Sequence, residues 1–560
     1  MSTSTPKIAV GGEDFIALRK AGCYYIDKTE LLYELVESNT SVTLFTRPRR
    51  FGKTLTMSMI ESFFSISTKD SSEVFSGLEI MDHSGLCKEY MNRYPVVFVS
   101  FKDVEGRSFD TAYGMLETVI ADLCKKYNEL ETASLVLSTD KEIFCRLASQ
   151  TASEQDMRNS LKTIMRMLNA VYGKPVILLI DEYDVPLAKA YANGYYAQML
   201  DVIRALMSTS LKTNEYLKFA VVTGCLRIPK ESIFTGVNNF ASYSVLDEDF
   251  AQYFGFTHEE VIKMLTDFGL QDKESIVREW YDGYAFGGTE VYCPWDVVNY
   301  VSALSKRSNA SPRNYWENTS GNDSIKAFFD LGGVDISDKF ETLLNGGTIT
   351  ERVTDSLTYD IAYTSENTLW SVLLMTGYVT VAHENETDCE GKGRIEVELR
   401  IPNREIAGIF QTAVVDHFVQ TLDEEQQKAL MEALWDGDED KASDILSDML
   451  WNTISYMDYH EDYYHAFLAG IFVGRGGYAV KSNRERGLGR PDLDLRDKRN
   501  RRAIIIETKK ADSEERMEYW CREALRQIRD NEYAANLDGY GEVLCYGISF
   551  YRKKALIKKG

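Results

Sequence analysis

Ser41-Val42-Thr43-Leu44-Phe45-Thr46-Arg47-Pro48-Arg49-Arg50-Phe51-Gly52-Lys53-Thr54-Leu55 decides the fold of the N-terminal part of this 560-residue chain. Residues 41–46 are rich in the β-branched and aromatic side chains that suit a packed strand. From Leu55 to Phe64 apolar residues recur at helical spacing. A basic turn closed by Gly52, Lys53 and Thr54 joins the two. Gly52 allows close approach of the backbone to a ligand, and the N–H groups opening a helix attract anions. Lys53 is then placed to reach β- and γ-phosphates and Thr54 to ligate Mg²⁺, so the stretch predicts an ATP cradle.

The usual loop pattern has glycine at position 47, where this chain has arginine. Arg47, Arg49 or Arg50 could make up in charge what the cradle loses in tightness, with Phe51 completing the loop. A second stretch supports the nucleotide reading. Lys174-Pro175-Val176-Ile177-Leu178-Leu179-Ile180-Asp181-Glu182-Tyr183-Asp184 is an apolar strand that ends in acids. A continuous apolar run suits a parallel strand covered on both faces. Asp181 would hold the Mg²⁺ shell and Glu182 would polarise the attacking water.

Strands are also expected at 94–101, 216–224 and 240–245, with helices at 109–127, 157–172 and 195–208. That alternation predicts βαβ units and a doubly wound parallel sheet. Thr223, at a strand carboxyl end, is placed to sense a γ-phosphate, and Arg227 and Lys230 lie just beyond it.

Near the other end, Gly489-Arg490-Pro491-Asp492-Leu493 precedes Ile504-Ile505-Ile506-Glu507-Thr508-Lys509-Lys510. Side chains alternate along a strand, so Glu507 and Lys509 share a face and Thr508 points away. A hairpin through Asp497-Lys498-Arg499-Asn500 would bring Asp492 beside Glu507. Two carboxylates can hold Mg²⁺ or Mn²⁺, and Lys509 can orient or activate water, which is the PD-(D/E)xK pattern. An amphipathic helix over residues 521–528 follows it.

Taken with Gly12-Glu13-Asp14-Phe15, Tyr25-Ile26-Asp27-Lys28-Thr29 and Gly224-Cys225-Leu226-Arg227-Ile228-Pro229-Lys230, these motifs resemble the AAA-ATPase-like family. In that family the arginine at position 47 is usual, and the C-terminal region is a PD-(D/E)xK nuclease-like domain. The resemblance implies ATP binding and a nuclease-type fold. It also implies a metal-site glutamate on the first nuclease helix, for which Glu461 is the candidate, with Glu485 an alternative acid standing behind the metal's direct ligands. Gln527 and Tyr533 resemble helix residues that face the cleavage site.

The fold class expected is therefore α/β, in three parts. Residues 1–239 form a P-loop NTPase domain, 240–420 a mixed lid or connector, and 421–560 a PD-(D/E)xK nuclease-like domain with a helical lead-in. In the connector, Thr257 and Glu260 read as a capping box. The aromatic and glycine-rich Tyr281-Asp282-Gly283-Tyr284-Ala285-Phe286-Gly287-Gly288 could pack a lid or stack on bases.

Hydrophobic residues make up 44% and charged residues 27% of the chain, ordinary values for a globular protein. No window is long enough for a membrane span, so a cytoplasmic protein is expected. The 9 cysteines form no C-x-x-C pair, which argues for reduced thiols, and the 6 histidines show no metal-ligand spacing. A net charge of −23 disfavours general nucleic-acid binding, yet basic residues cluster between Arg484 and Lys510. The expected partners are ATP and nucleic acid, DNA before RNA, and a homo-oligomer is compatible with the sequence. Two functions follow: a metal-dependent nuclease joined to an ATPase, or an ATP-driven switch whose nuclease-like domain binds nucleic acid or a partner without cutting.

Overall fold

The computed structural model describes residues 6–66, 71–228, 233–234, 237, 239–316, 339–340, 342–362, 364–388, 395–421, 424–453, 464, 467–468, 471–472, 479–482, 492–497, 499–531, 533, 537 and 539–560. The chain forms two compact units, Met1–Ser324 with Thr348–Ile406, and Ile325–Gly347 with Ala407–Gly560.

In the first unit β1 (Val42–Thr46) feeds the basic turn and α1 (Lys53–Phe64). There follow β2 (Val96–Ser100), α2 (Phe109–Lys126), α3 (Ser160–Tyr172), β3 (Val176–Asp181), α4 (Tyr196–Leu211), β4 (Leu217–Gly224) and β5 (Phe240–Tyr243). The five strands make one parallel sheet in the order β2-β3-β4-β1-β5. Every residue of β1 and β3 is buried, as their unbroken apolar runs require of strands covered on both faces. Register places Ser100 beside Asp181 and Phe45 beside Thr223. The carboxyl ends of β2, β3, β4 and β1 therefore lie along one edge of the sheet.

One expected helix is interrupted. Residues 157–172 divide at Asn159, because Ser153 and Asp156 close a capping box on a short helix, Glu154–Arg158, before α3 begins. The Thr257–Glu260 capping box forms as expected.

Beyond the parallel sheet lie a hairpin of β6 (Tyr284–Phe286) and β7 (Thr289–Val291), α5 (Pro294–Lys306), and the antiparallel strands β8 (Ile349–Val353), β9 (Thr380–Asp388) and β10 (Ile395–Arg400). Tyr281, Tyr284, Phe286, Tyr292 and Trp316 are all buried. The aromatic run packs the unit and offers no exposed face to a base. α6 (Arg404–Thr421) begins in the first unit and continues past Ala407 into the second.

The second unit contains α7 (Glu424–Asp436), α8 (Glu439–Thr453), β11 (Ala479–Ser482), β12 (Leu493–Asp497), β13 (Arg502–Lys510), α9 (Met517–Asp530), β14 (Glu542–Tyr551) and β15 (Lys554–Lys559). Its sheet runs β11-β12-β13-β14-β15, with β13 and β14 parallel and the other pairs antiparallel. Ile504 and Ile506 pack with Leu493, Leu495 and residues of α7 and α8. Ala503 and Ile505 pack with Leu525 and Ile528 of α9. Helices on both faces explain why the isoleucine triplet is continuous. Among the described residues no helix is long and apolar enough to cross a membrane.

α9 approaches the sheet closely at Gly547, which pairs in register with Glu507. A Cβ there would lie 2.2 Å from the carbonyl oxygen of Cys521, which is helix backbone and cannot swing aside. Gly547→Ala is expected to lower stability by about 1–3 kcal/mol through overpacking. Denaturant unfolding checks it; an unchanged midpoint would contradict this close approach.

Candidate active sites

The first site is built at the end of β1. Gly52 adopts φ +82 with nothing within 4 Å of a Cβ, and it caps α1. Among the described residues, the backbone N–H groups of Arg50, Gly52, Lys53 and Thr54 donate to no protein acceptor, while that of Phe51 closes a turn over Arg49 and Arg50. A run of unsatisfied donors at a helix N-terminus fits an anionic phosphate chain. Lys53 is 3% exposed, and its Nζ donates to the carbonyls of Arg47 and Pro48 at 3.0 Å each. It also pairs with Glu182 Oε1 at 3.2 Å. Burial works against its charge, but Cys225, Glu182, Asp181 and Asp184 outweigh burial and hold the ammonium above its ordinary range.

Asp181 receives Thr54 Oγ1 at 2.9 Å on one oxygen and Thr223 Oγ1 at 2.6 Å on the other, with Ser100 Oγ at 3.3 Å. Burial raises its pKa against the pull of these donors. Thr54 and Asp181 thus offer adjacent hard oxygens, the donor type Mg²⁺ takes. Glu182 sits at φ +53, a strained conformation for a non-glycine residue, and its Oε2 is buried with no hydrogen-bond partner. Its N–H donates to Thr223 Oγ1 at 3.3 Å.

The arginines divide. Arg47 is fully buried, with Nη1 donating to the carbonyls of Thr46 and Tyr243 and its guanidinium over the rings of Phe254 and Phe286. Burial lowers its pKa to about 10. It anchors the loop and presents no charge to a ligand. Arg50 is held by the carbonyl of Tyr315 and lies over two tryptophan rings. Arg49 remains exposed, with Cys225, Glu182 and Asp184 nearby. The Phe51 ring is buried against Tyr284 and Phe286, so it presents no side chain to the cradle. Arg227 is paired with Asp355 at 2.5 Å. Lys230 lies outside the described residues.

Two contributors were not foreseen. Ser100 stands at the carboxyl end of β2, where the strand-end rule could have found it. Asp184, 1% exposed, accepts from the N–H groups of Cys225 and Leu226 and from Tyr359 Oη at 3.0 Å. It fixes the turn after β4 against Lys53, and only its place in the acidic run hinted at a role.

The second site lies at the β12–β13 pair. The hairpin forms through Asp497, which accepts from the N–H groups of Arg499 and Asn500 and pairs with Arg502. Asp492 stands one residue before β12, and its N–H donates to Glu507 Oε2 at 3.3 Å. Its Oδ2 accepts from Thr508 N–H at 2.9 Å and Thr508 Oγ1 at 2.7 Å. Thr508 therefore points away from Glu507, as alternation requires, but still holds Asp492. Glu507 is 2% exposed, and Lys509 Nζ lies 3.4 Å from its Oε1. Burial, then the Asp492 carboxylate, push Glu507 up to about 7 against the pull of Lys509.

Adjacent carboxylates fit a hard divalent cation. Among the described residues no group of three or more His, Cys, Asp or Glu side chains could hold a metal. Glu461, the expected further ligand, lies outside the described residues, as does Glu485. Tyr533 is buried with Leu525 and Ile528. Parts of the basic stretch are engaged locally: Arg496 pairs with Asp494, Arg502 with Asp497, and Arg501 donates to the carbonyl of Gly539.

Residues 9–234 match the AAA-ATPase-like family, described as predicted AAA-ATPase, and residues 459–560 match the PD-(D/E)XK nuclease superfamily. The chain thus carries an AAA-ATPase-like domain and, C-terminal to it, a PD-(D/E)XK nuclease-superfamily domain. It is also 28% identical over 299 residues to a protein of Azotobacter chroococcum mcd 1, named "Uncharacterized protein in vnfD 5'region". That alignment covers 53% of this chain and 52% of the relative, so the chain spans about half the length of the relative it matches.

Proposed function

We propose that the N-terminal domain binds and hydrolyses ATP with Mg²⁺, and that the C-terminal domain cleaves phosphodiester bonds of nucleic acid, DNA before RNA, with Mg²⁺ or Mn²⁺. The observation that carries the reading is the Asp492–Glu507–Lys509 constellation on one strand pair. A divalent ion held there would supply Lewis acidity and an activated water. Asp492 and Glu507 supply its oxygen ligands. Lys509, fixed against Glu507, is placed to hold the attacking water or balance charge as the phosphate becomes pentacovalent. Thr508 keeps one Asp492 oxygen fixed, so the carboxylate needs little reordering to bind the ion.

At the first site the free N–H groups after Arg49 would take the phosphates, and Lys53 would move from loop carbonyls to phosphate oxygens. Thr54 and Asp181 would hold Mg²⁺, and Glu182 would accept a proton from the attacking water. Thr223, between Asp181 and Glu182, positions both acids. Arg49 is the loop arginine left to meet phosphate charge.

The test is cutting of plasmid, linear duplex and single-stranded DNA and of RNA, with Mg²⁺ or Mn²⁺, with and without ATP. Cleavage is expected to require metal and to disappear in Lys509→Ala. Nucleotide bound without cutting under any condition would instead select the switch.

A further inference from the structure

Arg50 joins the phosphate cradle to a buried cluster elsewhere in the first unit. Its backbone is left-handed, φ +72, and its N–H is one of the free donors of the loop. Its side chain is clamped: Nη1 donates to the Tyr315 carbonyl at 2.8 Å, and the guanidinium lies 5.4 Å from the Trp295 ring centre and 5.8 Å from that of Trp316. Nη2 is buried without a hydrogen-bond partner. The groups facing it are Cys293, Asp296, Glu405 and Tyr284.

Asp296 and Glu405 are 1% and 0% exposed, and both Asp296 oxygens and Glu405 Oε2 are buried with no hydrogen-bond partner among the described residues. Burial pushes both up, Glu405 further than Asp296. Glu405 also accepts the Trp316 N–H at 2.8 Å, so it is tied to one of the rings that hold Arg50. Glu405 stands in the first turn of α6, the helix within which the first unit ends at Ile406.

We propose that Arg50 relays phosphate occupancy of the loop to the first turn of α6, making the nucleotide state a regulator of the C-terminal domain. The proposal rests on the ATP reading of the first site. A phosphate bound to the Arg50 N–H fixes that residue's φ and ψ, and therefore the direction in which its side chain leaves the backbone. Trp316 is fully buried and Trp295 half-buried, so the pair follows Arg50 or releases it. Glu405 is bonded to the Trp316 backbone and moves with that choice. The coupling needs only a difference in phosphate affinity between the two loop conformations.

The test is hydrogen exchange of the full chain, read by mass spectrometry over residues 404–413, with and without a saturating non-hydrolysable ATP analogue and Mg²⁺. Nucleotide is expected to change exchange in that segment at least about fivefold in the wild-type protein. Glu405→Ala is expected to abolish the response while binding nucleotide within about threefold of wild type. Glu405→Gln keeps an oxygen for the Trp316 N–H and is expected to retain the response. Asp296→Asn replaces a carboxyl facing Arg50 with an amide without shortening the side chain, and it takes the place of Glu405→Ala if that variant does not fold. A response that survives in Glu405→Ala or Asp296→Asn overturns the relay. So does no response in a wild-type protein shown by calorimetry to bind the analogue. Failure of the wild-type protein to bind any nucleotide overturns the ATP reading, and the relay with it.

Discussion

Glu507→Gln is expected to lower metal-dependent phosphodiester cleavage by about 10³-fold or more, because it replaces an ionic oxygen ligand with a neutral amide. The same substitution is expected to stabilise the metal-free protein at pH 8. Glu507 is 2% exposed, and its pKa rises from an ordinary 4.5 to about 7, chiefly through burial. A carboxyl raised on folding contributes stability below its unfolded pKa and loses it as pH climbs through the folded one. The loss here falls between pH 4.5 and about 7, and amounts to about 3 kcal/mol at most. Glutamine is spared that loss. Metal must displace the same proton, so apparent Mn²⁺ affinity should fall about tenfold per pH unit below pH 7 and level off above it. Calorimetric titration with Mn²⁺ at several pH values checks this. Affinity that stays flat between pH 5.5 and 8 would show that Glu507 is not a ligand.

Lys53→Ala has the second large expected effect. It should weaken ATP binding by at least about 100-fold, since the ammonium is the charge placed to reach the β- and γ-phosphates. It should also destabilise the folded state by about 3–5 kcal/mol, the usual cost of breaking a buried ion pair from one side. Without Lys53, Glu182 would lose its ion-pair partner, and Asp181 and Asp184 would lose a nearby positive charge. The double variant Lys53→Met with Glu182→Gln removes both charges and should recover much of the stability without recovering ATP binding. Melting curves and nucleotide titration separate the two effects. A Lys53→Ala protein that melts with the wild type and binds ATP equally well would refute both parts.

Much of this arrangement is legible in the sequence because it is local. A glycine, lysine and threonine after an apolar strand carry the first site's chemistry within a few residues. Glu507 and Lys509 inherit a common face from strand alternation, and the hairpin follows from the polar run after β12. What stayed hidden depends on distant partners. Nothing near Arg47 indicates that Phe254 and Phe286 will cover its guanidinium, so its charge looked available to a ligand. Arg227 looked equally free until Asp355 appeared beside it. Thr508 faces the direction expected, but its bond to Asp492 arises because Asp492 lies just outside its strand and reaches around the end. The Asp296–Glu405 pair has no sequence signature, because each acid alone resembles an ordinary helix-start residue.

The first unit is discontinuous, being completed only by Thr348–Ile406. On the ribosome, this sets an order of assembly. A nascent chain that has reached Ser324 already has every strand of the parallel sheet, but it lacks Tyr359 on Asp184 and Glu405 on Trp316. The surroundings of the phosphate loop therefore finish only once residue 405 has emerged. Asp492 and Glu507 are translated after that point. Domains made N-terminal first tend to fold as units during synthesis. On the nuclease reading proposed above, any control exerted by the first site is thus available before the second one exists, and a newborn chain need not pass through a stage in which the second site is unsupervised.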